Sequence, residues 1–231
     1  MNKKTIGCID GNCNDGFGTY IEDCVDGLGD KYQSTYVGEF KSSKRHGQGK
    51  LIYYDETYVE EDEEEFVDTY EVAYEGEWKN DLRHGKGTMS YGDGGKYVGE
   101  FKDDNRDGHG TFNIHTGELR DHEALEWDGE YIGEWKADVK NGYGIFTFDT
   151  GEVYKGNWKE DDFHGQGLMS YFDESSYEGE WKDGLKHGLG VFTDAAGIKW
   201  QGRFEKDKGK GQGTFIYPDG STLVSPFGYF L

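Results

Sequence analysis

Four histidines, His46, His84, His164 and His187, each stand directly before a glycine in four look-alike phrases. Imidazoles in a row could hold a transition metal. The same position holds Asp107, Asn141 and Lys210 in three other phrases, which would break a metal ladder along its length. A structural role, such as hydrogen bonding of a turn backbone, is therefore the expectation for these histidines. Asp103, Asn105, Asp107 and Gly108 match the opening of an EF-hand calcium loop, but the twelfth position, which needs a bidentate glutamate, is Ile114. Three cysteines, Cys8, Cys13 and Cys24, crowd the N-terminal stretch, with no fourth cysteine or nearby histidine to complete a zinc site. No export signal precedes them, so free thiols are expected and a single disulfide is the alternative. The serines and cysteines sit in no nucleophile-and-base context, so neither catalysis nor a cofactor is indicated.

What positions these residues is an internal period. Tyr131, Tyr154, Tyr177 and Trp200 follow one another at intervals of 23 residues, and each opens the same phrase, clearest as YEGEWKDGLKHGLGVF from Tyr177. Further copies start at Tyr36, Tyr74 and Tyr97. The intervals from Tyr36 to Tyr74 and from Tyr97 to Tyr131 are 38 and 34, so two copies carry insertions, at about residues 55–73 and 118–128. Insertions at repeat boundaries are expected as loops on one edge. Gly16, Phe17 and Gly18 mark a degenerate first copy over residues 5–35, and residues 223–231 read as a cap. In that cap Leu223, Ser225 and Phe227 continue the inward pattern, while Pro226 removes a backbone donor.

Within a copy the residues alternate with period 2: Tyr177, Gly179 and Trp181 share one strand face, Glu178, Glu180 and Lys182 the other. The second segment adds Gly190 and Phe192 to the aromatic face. Glycine there leaves room for rings of the neighbouring hairpin to lie on bare backbone. The opposite face repeats Glu39, Glu77, Glu100, Glu134 and Glu180, with lysines two residues later, and reads as a solvated ladder. The expected fold is all-β: a single array over residues 1–231, an elongated single-layer antiparallel β-hairpin solenoid of about seven full 23-residue repeats plus degenerate end caps. The full copies start at residues 36, 74, 97, 131, 154, 177 and 200.

Composition agrees with many strands and turns. Glycine numbers 38 and aromatics make up 16%, while hydrophobic residues make up only 33%, too few for a conventional thick core. A net charge of −22 repels phosphate backbones and anionic lipid, which disfavours nucleic acid and membrane surfaces as partners. No apolar run reaches the ~20 residues of a membrane span, and the compartment expected is cytoplasmic.

The YxGxW/F and HGxG phrases, at this period and in seven registered copies, resemble the MORN (membrane occupation and recognition nexus) repeat family. The resemblance implies a β-hairpin solenoid whose aromatic face holds partner proteins, often near membranes or cytoskeletal structures. The function expected is a non-catalytic scaffold or adaptor that binds a helix or an extended segment of a partner protein. The candidate groove is lined by Tyr97, Phe101, Tyr131, Trp135, Tyr154, Trp158, Tyr177 and Trp181. Homo-oligomerisation is a second partner reading. The acidic run Glu60 to Glu65 reads as a solvated loop, or as a docking surface for a basic partner. The alternative function is a membrane-associated tether acting through phospholipid headgroups or the apolar tail Phe227 to Leu231.

Overall fold

The computed structural model describes residues 7–25, 31–61, 64–92, 94–114 and 128–226. All regular structure among them is antiparallel strand, 17 in number. The chain divides into two units, Met1–Glu126 and Trp127–Leu231. In the first, β1 (Gly7–Gly11), β2 (Gly16–Val25), β3 (Lys31–Lys41), β4 (Lys44–Glu61), β5 (Glu64–Lys79), β6 (Leu82–Ser90), β7 (Lys96–Lys102) and β8 (Asn105–Ile114) pair in chain order. In the second, the same meander runs through β9 (Gly129–Lys136), β10 (Val139–Phe148), β11 (Val153–Lys159), β12 (Asp162–Ser170), β13 (Ser176–Lys182), β14 (Leu185–Thr193), β15 (Lys199–Glu205), β16 (Lys208–Ile216) and β17 (Thr222–Ser225). The principal contacts in each unit join strands adjacent in sequence, so each is one layer of strands.

Each copy is a tight hairpin because its two turn residues both adopt positive φ. Asn80 and Asp81 lie at 52° and 73°, Glu160 and Asp161 at 51° and 70°, and Asp183 and Gly184 at 51° and 78°. This is the type I′ geometry whose twist matches that of the flanking strands, and Asn, Asp and Gly tolerate it best. Next to the turn the ladder is bulged. Gly179 faces Gly190, yet the next residue, Glu180, faces His187, so Gly188 and Leu189 drop out of that ladder. Gly188 takes φ 58°, a left-handed conformation for which glycine is suited.

Three sequence expectations change here. The first insertion is no loop: β4 and β5 run on as a paired ribbon, in register from Tyr54 opposite Glu71 to Glu61 opposite Glu64. Alternating tyrosine, valine, phenylalanine and threonine favour extended backbone, and this overrides the loop reading suggested by the acidic run. The second insertion lies outside the described residues apart from Asp128, as does the tail from Phe227. The cysteines are not all free: Cys8 and Cys13 form a disulfide, and only Cys24 is a thiol. The β1–β2 turn brings their Cα atoms to 5.9 Å, well inside bonding range, and this local geometry prevails over the expectation of free thiols. Finally, Leu223 does not continue the buried pattern. It pairs with Phe215 but stays 55% exposed, since β17 has a described neighbour on one side only.

Candidate partner-binding face

The aromatic face is built around pairs of glycines that meet across each hairpin, such as Gly179 with Gly190 and Gly156 with Gly167. The tyrosine that opens the copy lies over its own pair. A Cβ on Gly190 would come within 2.5 Å of the Tyr177 hydroxyl oxygen. The following hairpin adds its tryptophan, whose indole N–H donates to a glycine carbonyl: Trp181 to Gly167 at 3.2 Å and Trp158 to Gly144 at 3.3 Å. The bare backbone therefore seats the ring of its own copy first and that of the neighbour second. Each tyrosine meets tryptophan or phenylalanine edge to face, as Tyr177 does Trp181 at 5.1 Å and Phe204 at 4.8 Å.

The tyrosine hydroxyl has a second task. It donates to the carbonyl three residues on, at the bulge, at 2.9 Å from Tyr74 to Glu77, from Tyr131 to Glu134 and from Tyr177 to Glu180. Burial pushes the hydroxyls of Tyr36, Tyr74, Tyr97, Tyr154 and Tyr177 well above the ordinary phenol range. Tyr171 is pushed up to about 12 by the same cause.

The proposed groove residues are therefore core residues. Tyr97 and Phe101 lie in the first unit, and the other six in the second. All eight are buried, with exposures from 0% for Tyr97, Tyr154 and Tyr177 to 5% for Trp181. They form the floor of the aromatic face and present almost no ring surface to solvent.

What stands above that floor was not anticipated from the sequence. The residue before each HG position points to the aromatic side and is a cation in five copies. Arg45 lies 4.7 Å from the Trp78 ring, Arg83 5.7 Å from Phe101 and Arg106 5.1 Å from Phe112. In the second unit Lys140 is 4.5 Å from Trp158 and Lys186 5.5 Å from Phe192. Between them Phe163 takes this position and stacks on Tyr154 at 3.9 Å. The turn aspartate of the next hairpin clamps several of these residues. Asp207 accepts the backbone N–H of Lys186 at 2.9 Å and donates its own N–H to the Lys186 carbonyl at 3.1 Å. Asp81 with Arg45, Asp104 with Arg83 and Asp161 with Lys140 repeat the pattern. Arg83 adds its guanidinium, 3.2 Å from Asp104.

The outer face is likewise more than a solvated ladder. The carboxylates of Glu39, Glu77, Glu134 and Glu180 accept the bulge N–H groups of Gln48, Lys86, Tyr143 and Leu189 at 2.7 to 2.9 Å. A signal for this was present in the repetition of glutamate at that one position in five copies, although the bulge itself also forms in the copies with Asn157 and Arg203. Where Asn157 replaces it, its amide lies by Gly165 instead.

A family model described as MORN repeat matches residues 36–58, 74–96, 97–117, 131–153, 154–176, 177–199 and 200–222, more than half of the chain. The chain belongs to the MORN repeat family. The matched segments begin at the seven tyrosine or tryptophan positions from which the MORN hairpins are built. No curated protein matches the chain at a significant level. Among solved structures, one similar to it is the SAS-4 (dCPAP) TCP domain of Drosophila melanogaster in complex with a proline-rich motif of Ana2 (dSTIL). The identity is 10% and the TM-score 0.39, over 89% of this chain and 88% of that one, too slight a likeness to bear on function.

The MORN histidines do not act as expected. Their backbone carbonyls, not their imidazoles, serve the turn: the Tyr177 hydroxyl reaches the His187 carbonyl at 3.2 Å, and that of Tyr74 the His84 carbonyl at 3.4 Å. Nδ1 of His46, His84 and His164 is buried without a hydrogen-bond partner, although His84 lies 3.5 Å from an Asp103 oxygen. Among the described residues no group of three or more His, Cys, Asp and Glu side chains could hold a metal. His187→Asn is accordingly expected to cost less than ~1 kcal/mol, as Asn141 already serves at this position. Urea unfolding of the variant checks this, and loss of the folded state would restore a special role to the imidazole.

Proposed function

We propose that this MORN array is a non-catalytic scaffold that holds a helix or an extended segment of a partner protein along its aromatic face. The observation that carries the reading is the single layer of strands in each unit, which leaves a broad face with no second layer packed on it among the described residues. The rings proposed for it are Tyr97 and Phe101 on the face of the first unit, and Tyr131, Trp135, Tyr154, Trp158, Tyr177 and Trp181 on the face of the second, each unit taken by itself. Because these rings are buried, the atoms a partner meets belong to what stands over them, notably Lys140 and Lys186. Such cations favour acidic or aromatic groups on the segment bound there, and a basic partner suits only the acidic ribbon of β4 and β5.

Among the described residues no helix is long and apolar enough to cross a membrane. The net charge of −22 opposes adsorption on anionic lipid, so a tether acting through headgroups is the weaker reading.

The test compares Lys186→Ser on the aromatic side with Lys182→Ser on the outer side. Both remove one positive charge, and each variant is first checked for an unchanged thermal melt. Capture of the partner that the intact protein retains, identified by mass spectrometry, should weaken at least ~10-fold for Lys186→Ser and stay the same for Lys182→Ser. The opposite order would place the site on the other side of the sheet.

A further inference from the structure

In every complete copy a tyrosine or tryptophan ring covers the glycine pair, but the degenerate first copy has no ring to do so. Its glycines are in place: Gly18 meets Gly11 across its own hairpin and faces Gly38 of the next, and Gly16 faces Phe40, as Gly49 faces Gly76 and Gly47 faces Trp78. The strand that should bring the ring is β1. There Cys8 pairs with Tyr20 just as Tyr36 pairs with Leu51, which puts Cys8 in the register position of the tyrosine. Its disulfide partner supplies the cover. A Cβ on Gly18 would meet the Cys13 sulfur at 2.8 Å, the place where one on Gly49 would meet the Tyr36 ring at 2.2 to 2.5 Å. Gly18 is buried beneath it, while Cys8 is exposed. The disulfide loop also walls a cavity of about 850 Å³ whose floor includes Tyr20, Tyr36 and Phe40.

We propose that the Cys8–Cys13 disulfide is a reducible stand-in for the missing tyrosine ring, and that its reduction uncovers the N-terminal end of the aromatic face. An ordinary copy is capped by a ring that no redox chemistry removes. This one is capped by a bond that an external dithiol can cleave: the dithiol closes to its own disulfide, and its two electrons and two protons leave Cys8 and Cys13 as separate thiols. What then holds β1 is a short ladder to β2, already broken by a register shift between Cys8 and Asp10. Once the sulfur cover is released, the buried Gly18 and Phe40 join the already exposed Tyr20 in facing solvent, and the β2 edge frays. Cys24 takes no part. It sits farther along β2, its thiol 3.6 Å from the Ser34 hydroxyl oxygen.

The experiment uses the full chain, equilibrated with glutathione disulfide or with dithiothreitol. Unfolding in iodoacetamide should add at most one label, on Cys24 where glutathione has not capped it, to the first sample and three to the second. Amide hydrogen exchange at Thr19 and Tyr20 should quicken at least ~10-fold on reduction and in Cys8→Ser, while Tyr177 to Phe192 is unchanged. Cys24→Ser should respond as the parent does. The decisive variant is Cys8→Tyr combined with Cys13→Ala, which returns a ring to the register position; its exchange at Thr19 and Tyr20 should be slow with and without the dithiol. Three labels under glutathione disulfide, unchanged exchange on reduction, or fast exchange in the tyrosine variant would each overturn the proposal.

Discussion

Gly179→Val is expected to lower the stability of the second unit by ~3 kcal/mol or more, at the severe end of what overpacking costs. The obstacle is not a side chain that can swing aside. A Cβ on Gly179 would lie 2.6 Å from the Gly190 Cα and 2.7 Å from the Leu189 carbonyl oxygen, both backbone, as well as 2.7 Å from the Tyr177 hydroxyl. Relief requires β13 and β14 to separate, which would break the bulge that Glu180 caps. The matched control is Gly184→Asn. Gly184 has φ 78° in the turn, asparagine tolerates that conformation, and the nearest atom to an added Cβ is 3.8 Å away. Chemical denaturation of the two variants should differ by at least ~2 kcal/mol, and equal midpoints would show that rings do not lie against these glycines.

The second large effect is alkaline unfolding. The unfolded chain ionises its tyrosines near pH 10, whereas burial holds Tyr36, Tyr74 and Tyr97 of the first unit, and Tyr154 and Tyr177 of the second, protonated well beyond that. The sign follows from proton counts. Above about pH 10 the folded state binds more protons than the unfolded one, so stability is complete below that pH and falls as pH rises through the window above it. Each tyrosine that keeps its proton contributes about 1.4 kcal/mol per pH unit to the loss. Thermal melts should be flat from pH 8 to 9.5 and then drop steeply by pH 11.5, with phenolate absorbance beyond that of exposed tyrosines such as Tyr143 appearing only together with unfolding. Phenolate forming at the buried repeat tyrosines in the intact fold would mean that their hydroxyls are not buried against the bulge carbonyls.

Much of this was legible from the chain because a strict period repeats the same physical problem. Alternation of Tyr177, Gly179 and Trp181 placed the rings on one face, and the glycines that share it marked where rings lie on bare backbone. Other features were not legible, for reasons that differ. The outward glutamates looked solvated because simple alternation hides the bulge, which alone brings the Leu189 amide to Glu180. The cations at Arg45, Arg83 and Lys186 drew no reading from the sequence. They stand on the ring side because each pairs directly with an aromatic residue, Phe40, Trp78 and Trp181, and Asp81, Asp104 and Asp207 meet their backbone. The rings chosen as binding anchors proved to be packing residues, since each copy's aromatics are covered by the next copy and no single copy reveals that. The disulfide stood only as the alternative to free thiols, because the register that puts Cys8 in the tyrosine position exists only after β1 has paired with β2.

On the proposed function, a partner lies on the aromatic side of the sheet and meets the cations above the rings. Lysine footprinting of the complex reads both faces in one molecule. Lys140 and Lys186 rise over the rings, while Lys136, Lys159 and Lys182 project from the other face of the same unit. After brief acetylation of the free protein and of the complex, peptide mass spectrometry should find Lys140 and Lys186 protected by the partner, and Lys136, Lys159 and Lys182 as reactive as before. Protection of the outer three, with Lys140 and Lys186 unchanged, would contradict the claim.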